Sequence, residues 1–507
     1  SMSRQRTILT TVGIMLGLFM ASMETTVIAT AMPTIVSQLG GLTIYSWAFS
    51  VYMLASTTTV PIYGKLSDIY GRRPVFAVAM IIFLIGSVLC GFAQTMGQLI
   101  AFRALQGLGA GGVMPLVFVI VGDIFSFEQR ARMQGLFSGV WGVSSIVGPL
   151  LGGFLVDQIS WHWVFWINVF PGVIAMIMVW LAMQEPDLDP NNRPAVDYLG
   201  AALLSTTVIA LLLGLFDVGT PTGWALLGAS GVLLLALIWA ERRAVNPILP
   251  LGLFRQRLFA TATGHGFLTG WAMFGSLSFV PLFVQAVIGA NATAAGSTLM
   301  PMLLGWVIAS IIASRLLLYL NYRVIILFGV TLLTIGSFLM TQGTGDLSRA
   351  QTMLYLGFMG VGMGCSVSPF LIAVQSAVRK RDLGAATSTL QFSRNIGGTL
   401  GVSVMGAILS MRLASALTAA GIDPNSVSLD SLVDPISSSD AASALDSTLQ
   451  VALGSAIQSV FIAAFVAAAL SLLVSALAPA GKIGALAPSG PGDGGLELAS
   501  APTGGHD

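Results

Sequence analysis

The sequence predicts an all-α polytopic membrane protein, and three observations predict it. Charged side chains make up only 8% of the 507 residues and apolar ones 55%, with a mean hydropathy of +0.88. Water-soluble domains carry roughly 25% charged residues, so a surface this poor in charge is solvated by lipid. Apolar runs of about 20 residues, long enough to cross a hydrocarbon core about 30 Å thick, follow one another along the chain. These runs are continuous. A closed β-barrel, the other structure that satisfies every backbone group in lipid, needs alternating strands of about ten residues.

In order, spans are predicted near 8–32, 45–64, 75–94, 98–122, 133–156, 163–183, 198–216 and 223–240. The rest lie near 258–288, 293–314, 323–342, 351–377, 384–411 and 449–478, which makes fourteen. Lys and Arg set the orientation, because basic residues stay on the cytoplasmic side. With the N-terminus inside, 18 of the 22 bases fall on inner segments, among them Arg4, Arg72, Arg73, Arg193, Arg242, Lys380 and Lys482. Only Arg349 and Arg412 fall outside, while Arg103 and Arg394 lie within or near spans. Both termini are therefore expected in the cytoplasm, in a cell inner membrane. Two pieces are not spans. Residues 414–448 form an outer loop with five aspartates and no base, and residues 479–507, rich in Gly, Pro, Ala and Ser, are expected to be a disordered tail. The expected organisation is 1–190 as a first six-helix bundle, 191–250 as two linker helices and 251–478 as a second bundle.

Several function classes are disfavoured at this stage. A net charge of +1 gives no basis for nucleic-acid binding. Cys90 and Cys365 are far apart in apolar runs, so no metal or redox motif is expected. No GxxxxGK[ST] loop is present, nor HExxH or GxSxG, so no catalytic residue, metal or cofactor is assigned. Energy is expected from an ion gradient, of protons or of Na⁺.

Span one carries Glu24, followed by Thr26, Ala31 and Pro33. Glu24 is the one carboxylate deep in a first-half span, and two roles are open to it: proton exchange, or a structural hydrogen-bond anchor. The inner loop after span two reads Gly64-Lys-Leu-Ser-Asp68-Ile-Tyr-Gly71-Arg72-Arg73. Its glycines permit a tight turn and close helix approach. Asp68 can sit at a helix terminus while Arg72 and Arg73 hold inner-face partners; a plain positive-inside loop is the alternative. Span four opens Arg103-Ala-Leu-Gln106-Gly107 and ends near Asp123. An arginine in a span costs roughly 2.5–3.5 kcal/mol, so Arg103 must find a partner or water, or else snorkel to the outer interface. Span five holds Gly135, Ser144, Gly148, Pro149, Gly152 and Gly153, small residues and one proline that make a closely packed, pliable helix. A turn before span six reads Trp161-His162-Trp163-Val-Phe-Trp-Ile-Asn168; His162 either titrates or belongs to an aromatic belt. In the second half, His265 lies between two glycines, a packed histidine or a proton site. Gln391 and Arg394 precede Gly397-Gly398. Trp47, Tyr52, Phe137, Trp141, Trp271 and Phe274 are candidate walls of an apolar cavity, or ordinary packing.

These stretches resemble the major facilitator superfamily over residues 8–478. Gly64–Arg73 resembles its signature loop, GxLxDxxGRR in form, Arg103–Gly107 its RxxQG motif, and 135–153 the GxxxxxxxxGxxxGPxxGG motif of its exporters, with Ser144 for the middle glycine. Glu24–Pro33 is similar to the DxTxxxxALP motif of the fourteen-span drug:proton antiporters, with glutamate for aspartate. Trp161–Asn168 resembles that family's WRWxFxIN, with His162 for arginine, and 391–398 its FxRxxGG stretch. The resemblance implies two six-helix bundles plus two central helices, with substrate bound between the halves. It implies a cytoplasmic latch formed by Gly64, Asp68, Gly71, Arg72 and Arg73, with Asp123 paired to it, and a proton-transfer role for Arg103; Glu24, Arg103 and Asp123 are the residues expected in proton coupling. The function expected is proton-coupled export of apolar or cationic small molecules by alternating access, by a monomer among membrane lipids. Export of a lipid, fatty acid or metabolite is the alternative within transport; a non-transporting sensor would not need both latch and gate helix.

Overall fold

The computed structural model describes residues 3–40, 47–185, 194–290, 292–342, 346–423 and 443–482. Arg193, residues 424–442 of the predicted outer loop and residues 483–507 of the predicted tail lie outside the described residues.

All regular structure among the described residues is helical. The helices are α1 (Arg4–Leu39), α2 (Trp47–Tyr70), α3 (Arg72–Gly91), α4 (Met96–Ile124), α5 (Phe127–Gln158), α6 (Trp163–Trp166), α7 (Val169–Ala182) and α8 (Tyr198–Phe216). They continue as α9 (Pro221–Arg243), α10 (Arg257–Ala286), α11 (Ala292–Thr298), α12 (Met300–Leu316), α13 (Tyr322–Thr341), α14 (Arg349–Ala377), α15 (Leu383–Ala419) and α16 (Ser443–Ala476). Every predicted span position is occupied by helix. Twelve helices among the described residues are long and apolar enough to cross a membrane. The other two positions hold α2 and α10, which carry more polar side chains: Ser56, Thr57, Thr58 and Thr59 in α2, and Thr261, Thr263, His265 and Thr269 in α10.

Several helix starts follow directly from sequence. Thr95 accepts the Gln98 N–H at 3.1 Å and opens α4. Ser126 and Gln129 form a capping box on α5. Thr220 accepts the Gly223 N–H at 3.0 Å with Pro221 at the first position of α9, and Arg242 and Arg243 complement the dipole in its last turn. Three differences from expectation have local causes. Span six is interrupted between α6 and α7, because Pro171 has no N–H to offer the Ile167 carbonyl. Span ten divides into α11 and α12 at Leu299, where Pro301 begins the new helix. The predicted 414–448 loop is shorter than expected, since α15 runs to Ala419 and α16 starts at Ser443.

The helices cluster into two compact units. The first holds the chain up to Ala260 together with Leu371–Phe392; the second holds Thr261–Phe370 with Ser393–Lys482. In the first, α3 packs on α4, α4 on α2, α1 on α5 and α7, and α8 on α9. Its core includes Ile14, Leu18, Phe76, Met80, Phe83, Val117 and Phe137. In the second, α13 packs on α16 around a core that includes Met273, Phe283, Met302, Leu333, Met363, Met405 and Phe461.

Candidate functional site

The first unit buries a polar network around Glu24. Glu24 lies midway along α1 and is fully buried. Its Oε1 accepts from Arg103 Nη1 of α4 at 2.6 Å, and its Oε2 accepts from Asn168 Nδ2 at 2.6 Å. Arg103 is 1% exposed. It also donates to Gln106 Oε1 at 2.7 Å and to the Ala48 carbonyl at 3.1 Å, with its guanidinium 4.0 Å from the Tyr52 ring centroid. Ser87 of α3 closes the ring: its hydroxyl accepts from Asn168 at 3.1 Å and from Gln106 at 3.3 Å, and donates to the Phe165 carbonyl at 2.7 Å. The break between α6 and α7 leaves Asn168 at the head of α7, where its amide reaches both acid and hydroxyl. Asn168 Oδ1 is buried with no hydrogen-bond partner.

Arg103 therefore faces a partner, and the snorkelling alternative does not occur. Two dry opposite charges lose hydration on burial, and the loss is offset only by close geometry and full hydrogen bonding. The shell of Asn168, Gln106, Ser87 and Ala48 provides that bonding.

A second polar cluster forms at the C-terminal end of α2. Asp68 accepts from Arg72 Nη1 at 2.5 Å and from the backbone N–H groups of Gly384 and Ala385 at 3.0 and 2.8 Å, where α15 begins. Arg72, 5% exposed, donates to Ser67 Oγ at 2.9 Å and to the Lys380 carbonyl at 3.4 Å, and stands 3.6 Å from Asp123. An acid at a helix N-terminus is favoured by the unpaired N–H groups and the dipole there. Gly64 approaches Ser388 so closely that a side chain would collide. Gly71 takes φ +96°, and the Glu185 carboxylate occupies the place of a side chain there. Glu185 accepts the Arg73 N–H and so caps α3, whose N-cap Gly71 has no side chain. Burial holds the Glu185 carboxyl above the usual glutamate range, opposed by that N–H and by Arg72 and Arg73.

Along α5, Gly135, Ser144, Gly148 and Gly152 are buried, and Ser144 donates to the Trp141 carbonyl at 2.8 Å. Gly153 is different: nothing lies within 4 Å of where a side chain would start. The helix continues through Pro149.

The candidate cavity residues belong to both units. Trp47 is 38% exposed and meets Phe216 of α8 edge-on at 5.9 Å. Phe137 is buried in the core beside Phe118, 6.5 Å between centroids. Trp141 is half-buried and Gln391 buried. In the second unit His265 packs on Phe370, 4.7 Å between centroids, with Nε2 unpartnered. There Phe274 sits over Gly398 and Trp271 over Gly401, while Gly270 abuts the Arg394 backbone. The Gly397-Gly398 stretch thus makes room for the aromatic face of α10. His162 stacks on Trp161 at 3.9 Å and bonds Ser160 Oγ through Nδ1 at 2.7 Å; partial burial lowers its pKa.

Sequence reasoning gave no role to Asn168, Ser87 or Glu185. Asn168 and Ser87 look like ordinary polar residues of a turn and a span. Glu185 carried one signal, an acid just past a span on the face rich in bases.

Comparison with known proteins agrees with this architecture. The Major Facilitator Superfamily model matches residues 14–402. The multidrug transporter protein MdtP of Bacillus subtilis is 38% identical over 421 residues, 82% of this chain and 77% of that protein. Multidrug resistance protein 3 of the same species is 39% identical over 402 residues, 78% of each. Among solved structures, the human organic anion transporter MFSD10 aligns with TM-score 0.61 at 15% identity, covering 92% of this chain and all of that one. The proton:xylose symporter XylE aligns with TM-score 0.61 at 12% identity, covering 94% and 96%; both show the fold. With a family model spanning most of its length and relatives close to 40% identical, the chain belongs to the Major Facilitator Superfamily.

Proposed function

We propose that the protein is a proton-coupled antiporter that exports apolar or cationic small molecules by alternating access, with both termini in the cytoplasm. One observation carries the coupling: a carboxylate at mid-span, fully buried and, among the described residues, bound only by side chains. An ionised Glu24 holds Arg103. A proton arriving from outside neutralises it, ends the ion pair and releases a bound cation; loss of that proton to the inside restores the charge that attracts the next cation. Asn168 supports the exchange. Its orphaned Oδ1 can accept the O–H of a protonated Glu24 after the amide turns over, so both protonation states keep a partner. Arg103 retains Gln106, the Ala48 carbonyl and the Tyr52 face when the pair opens. The multidrug names of two relatives support the substrate class.

The test is reconstitution in liposomes with an acidic lumen and a lipophilic dye cation outside. Wild type is expected to drive dye inward in exchange for protons, and Glu24→Gln to abolish that movement with dye binding reduced. A folded wild type that moves no dye under the gradient would overturn the cation reading and favour a lipid-like or metabolite substrate.

A further inference from the structure

The inner ends of α8 and α9 hold another pair of acids, separate from both polar clusters. Asp197 caps α8, its Oδ1 accepting the Gly200 N–H at 2.8 Å. Glu241, in the last turn of α9, is 2% exposed, and its Oε2 accepts the Leu249 N–H at 3.2 Å. Each carboxyl group thus has one oxygen fixed by backbone. The other oxygen of each, Asp197 Oδ2 and Glu241 Oε1, is buried and has no hydrogen-bond partner among the described residues. The two free oxygens border one point, because a side chain added at Gly200 would strike both.

Two ionised carboxylates cannot present bare oxygens to one dry spot without strong repulsion. A single proton turns that repulsion into a charge-assisted O–H···O⁻ interaction and satisfies both orphan acceptors. The surroundings do not remove the need for it. Among the described residues, Lys65 of α2 is the cation within electrostatic reach of Glu241, and it is shared with Asp68 and Asp382 and opposed by Arg381. Arg242 and Arg243 of the same turn are exposed, Arg243 lying over Trp239 at 4.3 Å. From the turn after α9, Asn246 donates to the Ala195 carbonyl at 3.2 Å, away from the acids. No third acidic, His or Cys ligand joins the pair among the described residues, which favours a proton over a divalent ion.

We propose that Asp197 and Glu241 bind one proton between them, forming a proton site at the inner end of the two-helix insert. The bound proton ties α8 to α9; its loss as pH rises sets two anions against each other and loosens that end of the hairpin. Gly200 is required there, because any side chain would wedge the two carboxyl groups apart.

The test is infrared spectroscopy of the purified full chain, following the C=O stretch of protonated carboxyl groups against pH, a readout that does not require transport or Glu24. Wild type and Glu24→Gln are expected to share a band that titrates away as pH rises. Glu241→Gln should lose it, and Asp197→Asn should lower its midpoint by about one pH unit or more, the mark of coupled groups. A band unaffected by Glu241→Gln would overturn the proposal. So would an unchanged midpoint in Asp197→Asn, which means burial of a lone acid. Loss of the wild-type band on adding Na⁺ but not K⁺, with a raised unfolding temperature, would overturn it in favour of a sodium site.

Discussion

The Glu24 and Asp68 clusters of the first unit are built from similar parts, a buried acid bonded to an arginine, yet they are satisfied differently. Asp68 is held by two backbone N–H groups as well as by Arg72. Those donors are fixed at the start of α15 and cannot turn away. Glu24 is held, among the described residues, by side chains, those of Arg103 and Asn168, which can rotate or exchange partners. A carboxylate fastened by backbone donors is a structural tie. One fastened by amides and a guanidinium can change protonation state without leaving backbone groups unpaired.

The largest effect that sharpens this contrast is expected from Arg103→Met. It strands the Glu24 charge in the span and should cost about 3–5 kcal/mol, seen as a lower unfolding temperature in detergent. Adding Glu24→Gln should recover most of that loss while transport stays absent. A double variant as unstable as the single one would break the comparison, since Glu24 would then not be the stranded partner. Next is Asp68→Asn, which weakens charged hydrogen bonds and should cost about 1.5–3 kcal/mol. Here adding Arg72→Met should recover little, because the Gly384 and Ala385 N–H groups still lose their anionic acceptor. The smallest effect is expected from Glu185→Gln, about 0.5 kcal/mol or less, because glutamine still offers an oxygen to the Arg73 N–H and no longer buries a charge. The Glu185 carboxyl lies above its ordinary value of 4.5 in the folded chain, so its contribution is full below that value and declines as pH rises through the folded range. The pH slope of unfolding should flatten in Glu185→Gln; an unchanged slope would place the titration elsewhere.

Much of this was legible in the sequence because lipid enforces simple rules. Continuous apolar runs fixed where helices lie, and the scarcity of charge within them drew attention to Glu24 and Arg103 before any contact was known. Their pairing was not legible: 79 residues separate them, and nothing in either span names the other. Asn168 was named within a motif but given no role, because that role depends on the helix break that Pro171 imposes, a three-dimensional effect of a residue three positions away. Asp197 and Glu241 each sit at a span end among charged residues, where a lone acid looks ordinary. Only the packing of α8 on α9 brings their free oxygens to one point. The aromatic candidates divided for a similar reason. Phe137 joined the core and Trp271 settled over Gly401, since periodicity gives a side chain's size and spacing but not what it faces.

The Glu24–Arg103 pair also constrains how the protein is made. Membrane spans leave the ribosome in order, so α1 carries its acid into the bilayer before α4 exists. At about 5–20 residues per second, the 79 residues between them take roughly 4–16 seconds to synthesise. For that interval Glu24 has no cation to meet, and a lone carboxylate in lipid is far costlier than a neutral acid. The nascent first span therefore enters as the protonated acid, and the ion pair forms only when the fourth span arrives to displace that proton. Assembly of the chain thus performs, once and in one direction, the exchange of proton for cation that is proposed for the finished protein.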